Sequence, residues 1–155
     1  MTTLTRLLNI FLAALLTGII VTVWIVDNPQ NLPAEQYIVI QQNMVRSLND
    51  LMPVLGAITI LSTLVSAALQ RKKKDVFITL LIAAFLFIVT GLITRLGNQP
   101  INAVVMTWKS NSIPANWTGL KDKWWLFHEI RTVSSTIALL LVLWASIRKG
   151  SGAGN

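Results

Sequence analysis

The chain has no cysteine, one histidine, one tyrosine and only six acidic residues. Without cysteine there can be no disulfide, thiolate-ligated haem, iron–sulfur cluster or cysteine nucleophile. One histidine cannot build a typical zinc site or a two-histidine iron site, and Glu129 points away from His128 on a helix. No phosphate-binding loop, dinucleotide fingerprint or serine triad is present. The sequence therefore implies no metal and no cofactor. Charge is scarce as well, at 12% of 155 residues, where about a quarter is ordinary for a soluble domain.

What fills the chain is apolar: 54% of residues are hydrophobic, and they fall in long runs rather than alternating with polar ones. Such runs mark a multi-pass membrane protein. The expected fold is all-α, an integral membrane four-helix bundle with a short interfacial helix between the third and fourth spans. One domain, residues 1–149, uses up the length, and residues 150–155 read as a flexible tail. The net charge of +7 would suggest nucleic acid in a soluble protein, but the basic residues cluster at segment ends, so nucleic acid is not an expected partner. The lipid bilayer is.

Residues 7–26 form the first span. They resemble a signal peptide in composition, yet no small-residue cleavage site follows, so the segment reads as retained. Residues 33–69 read as one long helix in two parts: an amphipathic stretch to Asp50, then an apolar span, kinked at Pro53. Arg71, Lys72, Lys73 and Lys74 make a tight turn before the third span, residues 76–94. The fourth helix starts near Thr118 and ends near Ile147. By the positive-inside rule, Arg6, the 71–74 turn and Arg148–Lys149 all fall on the cytoplasmic side of the plasma membrane, with both termini inside.

The polar, tryptophan-rich connection at residues 95–131 is where a site would be sought. It holds the only histidine and four of the six tryptophans. Gly97 and Pro100 should end or distort the third helix, residues 101–109 should form the interfacial helix, and residues 110–116 should be loop. Trp124, His128 and Arg131 recur at i, i+4 and i+7, on one stripe of the fourth helix. Snorkelling to headgroups accounts for Arg131 alone as well as burial does, but the shared stripe favours a site. Most tryptophans fit an interfacial aromatic belt; Trp124 is the one that shares a face with His128. Asn98 and Asn102 flank Pro100, where their amides either satisfy freed backbone groups or hold a ligand carbonyl. Arg95 has a headgroup phosphate, Asp27 or Asp50 as possible partners.

Asn98-x-Pro100-Ile101-Asn102, then Trp117, then Trp124-x-x-x-His128-x-x-Arg131-Thr132 before an aliphatic span resembles the DUF1772, or anthrone-oxygenase-like, membrane proteins. Four spans, Gly18 in the first and Gln41-Gln42-Asn43 in the second extend the likeness along the chain. The resemblance implies a cofactor-independent oxygenase acting on a flat phenolic or polyketide-like apolar compound in a pocket at the extracytoplasmic side. In its terms His128 is the base and Arg131, with Asn98 or Asn102, holds the developing oxyanion. Trp124 and Trp117 stack on the substrate. Two other readings stay open: a non-catalytic membrane binding protein for a quinone, lipid or other amphiphile, or a small structural subunit of a membrane complex. A monomer suffices to bury the polar face, and the apolar outer faces equally permit oligomers.

Overall fold

After Arg6, the first helix meets almost nothing polar, so no backbone-competing side chain interrupts it until Asp27 and Pro29. In the computed structural model it becomes α1 (Thr2–Val26). At 1.5 Å per residue its 25 residues run about 37 Å, enough for a hydrocarbon layer of about 30 Å. The structure describes residues 2–109 and 112–148. The expected tail at 150–155, Lys149 and the first two residues of the 110–116 loop lie outside that range.

The amphipathic helix α2 (Ala34–Leu48) follows Pro33 and carries Glu35 in its first turn. It leads into α3 (Leu51–Leu69) through Asn49 and Asp50, whose backbones stay in the right-handed helical region. The bend expected at Pro53 therefore falls just before it. Pro53 sits in the first turn of α3, where a missing N–H leaves no carbonyl unpaired.

The third span is distorted rather than ended at Gly97 and Pro100: α4 (Lys74–Ile93) passes through a π turn (Thr94–Asn98) into α5 (Gln99–Val105). The widened turn absorbs the proline, which stands in the first turn of α5 and needs no N–H there. Residues 99–105 thus continue a 32-residue apolar helix. They do not form the separate interfacial helix expected over 101–109. The last helix, α6 (Trp117–Ile147), starts one residue before Thr118.

Among the described residues four helices are long and apolar enough to cross a membrane: α1, α3, the α4–α5 rod and α6. Neighbours run α1 to α3, α3 to α4, α4 to α6 and α6 back to α1. Arg6 at the start of α1 hydrogen-bonds Gln70 past the end of α3, and Arg148 after α6 lies 3.6 Å from Asp75 in α4. The bundle is therefore up-down-up-down, with Arg6, residues 71–74 and Arg148 gathered as a basic cluster at one end. Inside lie Leu16, Ile20, Leu55, Leu80, Phe87 and Val142 among small alanines. Outside lie Phe11, Leu61, Phe85 and Leu140, each more than half exposed. Helices apolar on both faces belong in lipid, and the protein is a multi-pass membrane protein.

Hydroxyls and amides join the spans where no water reaches. Asn9 Oδ1 accepts from Ser62 and Thr63 at 3.1 and 2.7 Å, Thr17 donates to the Ser135 carbonyl at 3.3 Å, and Ser134 donates to that of Leu86 at 3.0 Å. Such bonds hold helices together where the hydrophobic effect does not. At the end away from the basic residues, α2 rests on α5. There Val23, Tyr37, Ile38, Ile101, Val105, Trp108, Trp124 and Trp125 form a second apolar cluster. The α4–α5 rod and α6 reach about 48 and 46 Å, so both overshoot the hydrocarbon. Arg131 lies 16 residues from Ile147, about 24 Å along α6, which puts it inside the apolar slab near that far boundary.

Candidate functional site

The helical repeat brings Trp124, His128 and Arg131 onto the inner face of α6, and all three are buried: 1%, 0% and 9% exposed. The His128 ring stacks on Trp124, with centroids 5.1 Å apart and planes 3° from parallel, and Trp125 lies 5.4 Å away at 26°. Arg131 turns back along the helix. Its Nε and Nη2 donate to His128 Nδ1 at 3.0 and 2.7 Å, while Nη1 donates to Thr94 Oγ1 at 3.3 Å. A guanidinium only donates, so Nδ1 must accept and the proton of a neutral ring sits on Nε2. That Nε2 is buried with no hydrogen-bond partner of normal geometry. The Ile20 backbone of α1 reaches the ring only as a weaker electrostatic contact.

Three of the five N–H groups of Arg131 are thus engaged and two are not. Among the described residues no carboxylate pairs with it, since the ion pairs are Lys121–Asp122 and Arg148–Asp75. An unneutralised guanidinium inside a membrane bundle is costly unless an anion or a polar cavity meets it. Such a cavity is present. A cleft of about 40 Å³, room for one or a few waters, is lined by Arg131, Trp124, Asn102, Thr94 and Gln99, and closed by Ile20, Val45, Met52 and Pro53.

Asn102 ties three segments to this cleft. Its Oδ1 accepts from the Trp124 indole at 2.8 Å and from Gln41 of α2 at 3.1 Å. Asn98 uses its amide N–H on the Trp124 carbonyl at 2.9 Å, and its own Oδ1 is buried without a partner. So one asparagine faces the cleft and the other clamps α5 to α6. Gly97 makes that clamp possible: a Cβ there would stand 2.6 Å from the Phe127 ring.

Not every expected residue joins the group. His128 stands behind Arg131 and does not line the cleft. Trp117 belongs to an outer aromatic cap, 5.8 Å from the Tyr37 ring with the Lys121 ammonium 5.3 Å above its own. Arg95 donates to Gln99 at 2.8 Å, and no ion pair joins it to Asp27 or Asp50 among the described residues. Gln41, Thr94 and Trp125 are part of the network although sequence reasoning did not place them there. A threonine one turn before Asn98 and a second tryptophan beside Trp124 were the available signals.

Tyr37 is 1% exposed and its hydroxyl has no partner. It lies in α2, outside the four spans, and burial, with Asp122 as a lesser cause, pushes its pKa well above the ordinary value.

A four-span bundle with a buried arginine, aromatic rings and amides around a cleft at one end defines the chain as a small multi-pass membrane protein. The chain belongs to the anthrone oxygenase family, whose model matches residues 42–141, a stretch that contains every cleft residue except those of α1. No curated protein and no solved structure matches the chain.

Proposed function

We propose that the protein oxygenates a flat, apolar phenolic ketone of the anthrone type, with Arg131 receiving its oxygen. The observation that carries this reading is the guanidinium itself: buried, paired with no carboxylate among the described residues, and lining a cleft beside the Trp124 ring. Family membership supports an oxygenase reading.

An anthrone carries an acidic CH₂ opposite its carbonyl. Two free N–H donors of Arg131 stabilise the enolate oxygen, so the carbon gives up its proton more readily, to water in the cleft. The enolate passes one electron to O₂, and the carbon radical and superoxide combine to a peroxide. Reprotonated by the proton first released, the peroxide loses water and leaves the quinone. One O₂ and one anthrone give one quinone and one water. In this reading His128 is a positioning residue that fixes the guanidinium through Nδ1. The base role that the resemblance implies for it requires Arg131 to leave that nitrogen. Trp124 offers its face to the substrate, and Asn102 holds the indole in place.

The basic end of the bundle faces the cytoplasm of the plasma membrane in this proposal, which puts the cleft at the extracytoplasmic side. One observation favours a second reading. Because His128 is shut behind Arg131, the cleft has no titratable base in line, as suits a protein that binds a quinone or other amphiphile without changing it. Oxygen uptake separates the two. In nanodiscs with anthrone, the oxygenase consumes one O₂ per quinone formed, and Arg131→Ala lowers the rate about 10²- to 10³-fold, as loss of an oxyanion donor does. Binding of anthraquinone without any oxygen uptake would leave only the second reading.

A further inference from the structure

Resting on that reading, the structure also indicates what kind of molecule reaches Arg131, and from where. The polar cleft, at about 40 Å³, is far too small for a polycycle, yet it does not stand alone. Beside it runs a larger crevice of about 240 Å³ between α3 and α4, with Leu16 and Ile20 of α1 at its floor. The two share Ile20, Met52, Pro53, Thr94 and Gln99 in their walls, so they adjoin. Together they come to just under 300 Å³, the lower edge of small-molecule sites at about 300–1,000 Å³.

The crevice is nearly all apolar, lined by Pro53, Gly56, Ile60, Phe87 and Gly91. It owes its width to two glycines: a Cβ built at Gly56 or Gly91 meets nothing within 4 Å. Both walls belong to helices that present apolar side chains outward, such as Ile58 and Leu61 on α3 and Ile88 and Leu92 on α4. Its flank is therefore lipid, and its inner end adjoins the cleft that Arg131 lines.

We infer that the α3/α4 crevice is the berth of the substrate's apolar rings and its way in from the bilayer, oxygen end first toward Arg131. The substrate class is a lipid-dissolved polycyclic ketone or phenol with its oxygen at one edge, not a water-borne compound. Burial sets the orientation, because Arg131 is buried in the adjoining cleft with donors free, whereas Arg95, the guanidinium on the crevice wall, is exposed and bonded to Gln99. Arg95 lines the crevice from its exposed side, bonded at 2.8 Å to Gln99 in the wall that both cavities share, so a second polar substituent would meet this pair.

The test uses the whole protein in nanodiscs and two probes that share a ring system: anthraquinone, which dissolves in lipid, and its 2-sulfonate, which does not. Binding is read by quenching of tryptophan fluorescence. Gly91→Leu and Gly56→Leu fill the crevice from opposite walls, so one variant serves if the other fails to fold. Each should weaken anthraquinone binding at least tenfold, whereas Ile82→Phe, on the lipid face of α4, should not, and the sulfonate should bind at least tenfold more weakly than anthraquinone. Two results overturn the inference: wild-type affinity in both leucine variants, or equal affinity for the two probes. Displacement of neither probe but loss of a bound phospholipid in the leucine variants also overturns it, because an acyl chain would then be the occupant. Crevice-dependent anthraquinone binding without oxygen uptake upholds the inference while the oxygenase reading falls. Uptake that needs Arg131 and ignores both leucine variants does the reverse.

Discussion

Gly97→Ala should destabilise this protein, although glycine to alanine inside a helix ordinarily stabilises it by up to about 1 kcal/mol. A Cβ at position 97 would lie 2.6, 2.8 and 2.9 Å from Cγ, Cδ2 and Cδ1 of Phe127. Against an ordinary carbon contact of about 3.5 Å, the closest falls short by about 0.9 Å. Rotating the ring does not help, because Cγ is its root and lies on the rotation axis. Either α6 moves away or Phe127 leaves its rotamer, and overpacking of this kind costs about 1–3 kcal/mol. Set against a propensity gain of up to about 1 kcal/mol, the mid-range net loss is about 1 kcal/mol, or roughly 2–4 °C in melting temperature for a chain of this size. The assay is thermal unfolding in nanodiscs read by tryptophan fluorescence, with Gly18→Ala as reference, since a Cβ there meets nothing within 4 Å. In a Phe127→Ala background the sign should reverse, and Gly97→Ala should then stabilise as Gly18→Ala does. A rise in melting temperature in the native background, or a penalty that survives removal of Phe127, would refute the close approach of the π turn to α6.

Tyr37→Phe should leave stability at neutral pH unchanged or raise it by about 1 kcal/mol, because it removes a buried hydroxyl that has no partner. It should also flatten the pH dependence at the alkaline end. The raised pKa means the folded state keeps its proton while unfolded chains lose theirs near pH 10, so wild-type stability falls as pH climbs above 10, and less so in the variant. Trp124→Phe keeps an aromatic ring against His128 and removes the bond to Asn102, whose Oδ1 still accepts from Gln41. A loss of about 1 kcal/mol is expected. Combined with Gln41→Ala it should cost more than the two single losses added, since Asn102 is then left buried with an unmet acceptor, and a double-mutant cycle reads the excess. Strict additivity would mean that the two donors do not share that oxygen.

The spans were legible because each is a run of apolar residues of membrane length bounded by charge or proline, and lipid tolerates little else. The Trp124, His128 and Arg131 stripe was legible because one helical repeat fixes it regardless of neighbours. What each member faces was not. His128 and Arg131 are three positions apart on one face, and only the location of Thr94 and the cleft decides that the arginine looks in and the histidine stands behind. Asn102 gathers Gln41 and Trp124 from 61 and 22 residues away, a pairing no local pattern encodes. Gly97 and Pro100 left two outcomes open, an ended helix or a distorted one, and the structure has the second. Proline ends an α-helix that must keep its i to i−4 bonds, but a π turn placed just before it removes that requirement.

That turn makes the winding of the backbone there as important as its composition. A π turn holds one residue more than an α turn. Each residue of α-helix is worth about 100° of rotation. Wound as regular α-helix throughout, the same residues would therefore carry Asn102 about 100° around the rod, out of the cleft and away from Gln41 and the Trp124 indole, without changing one cleft side chain. Winding, rather than residue identity, keeps the amide on station, and loss of a turn residue outside the cleft, such as Leu96, would let the helix close into α form with Asn102 still on its face.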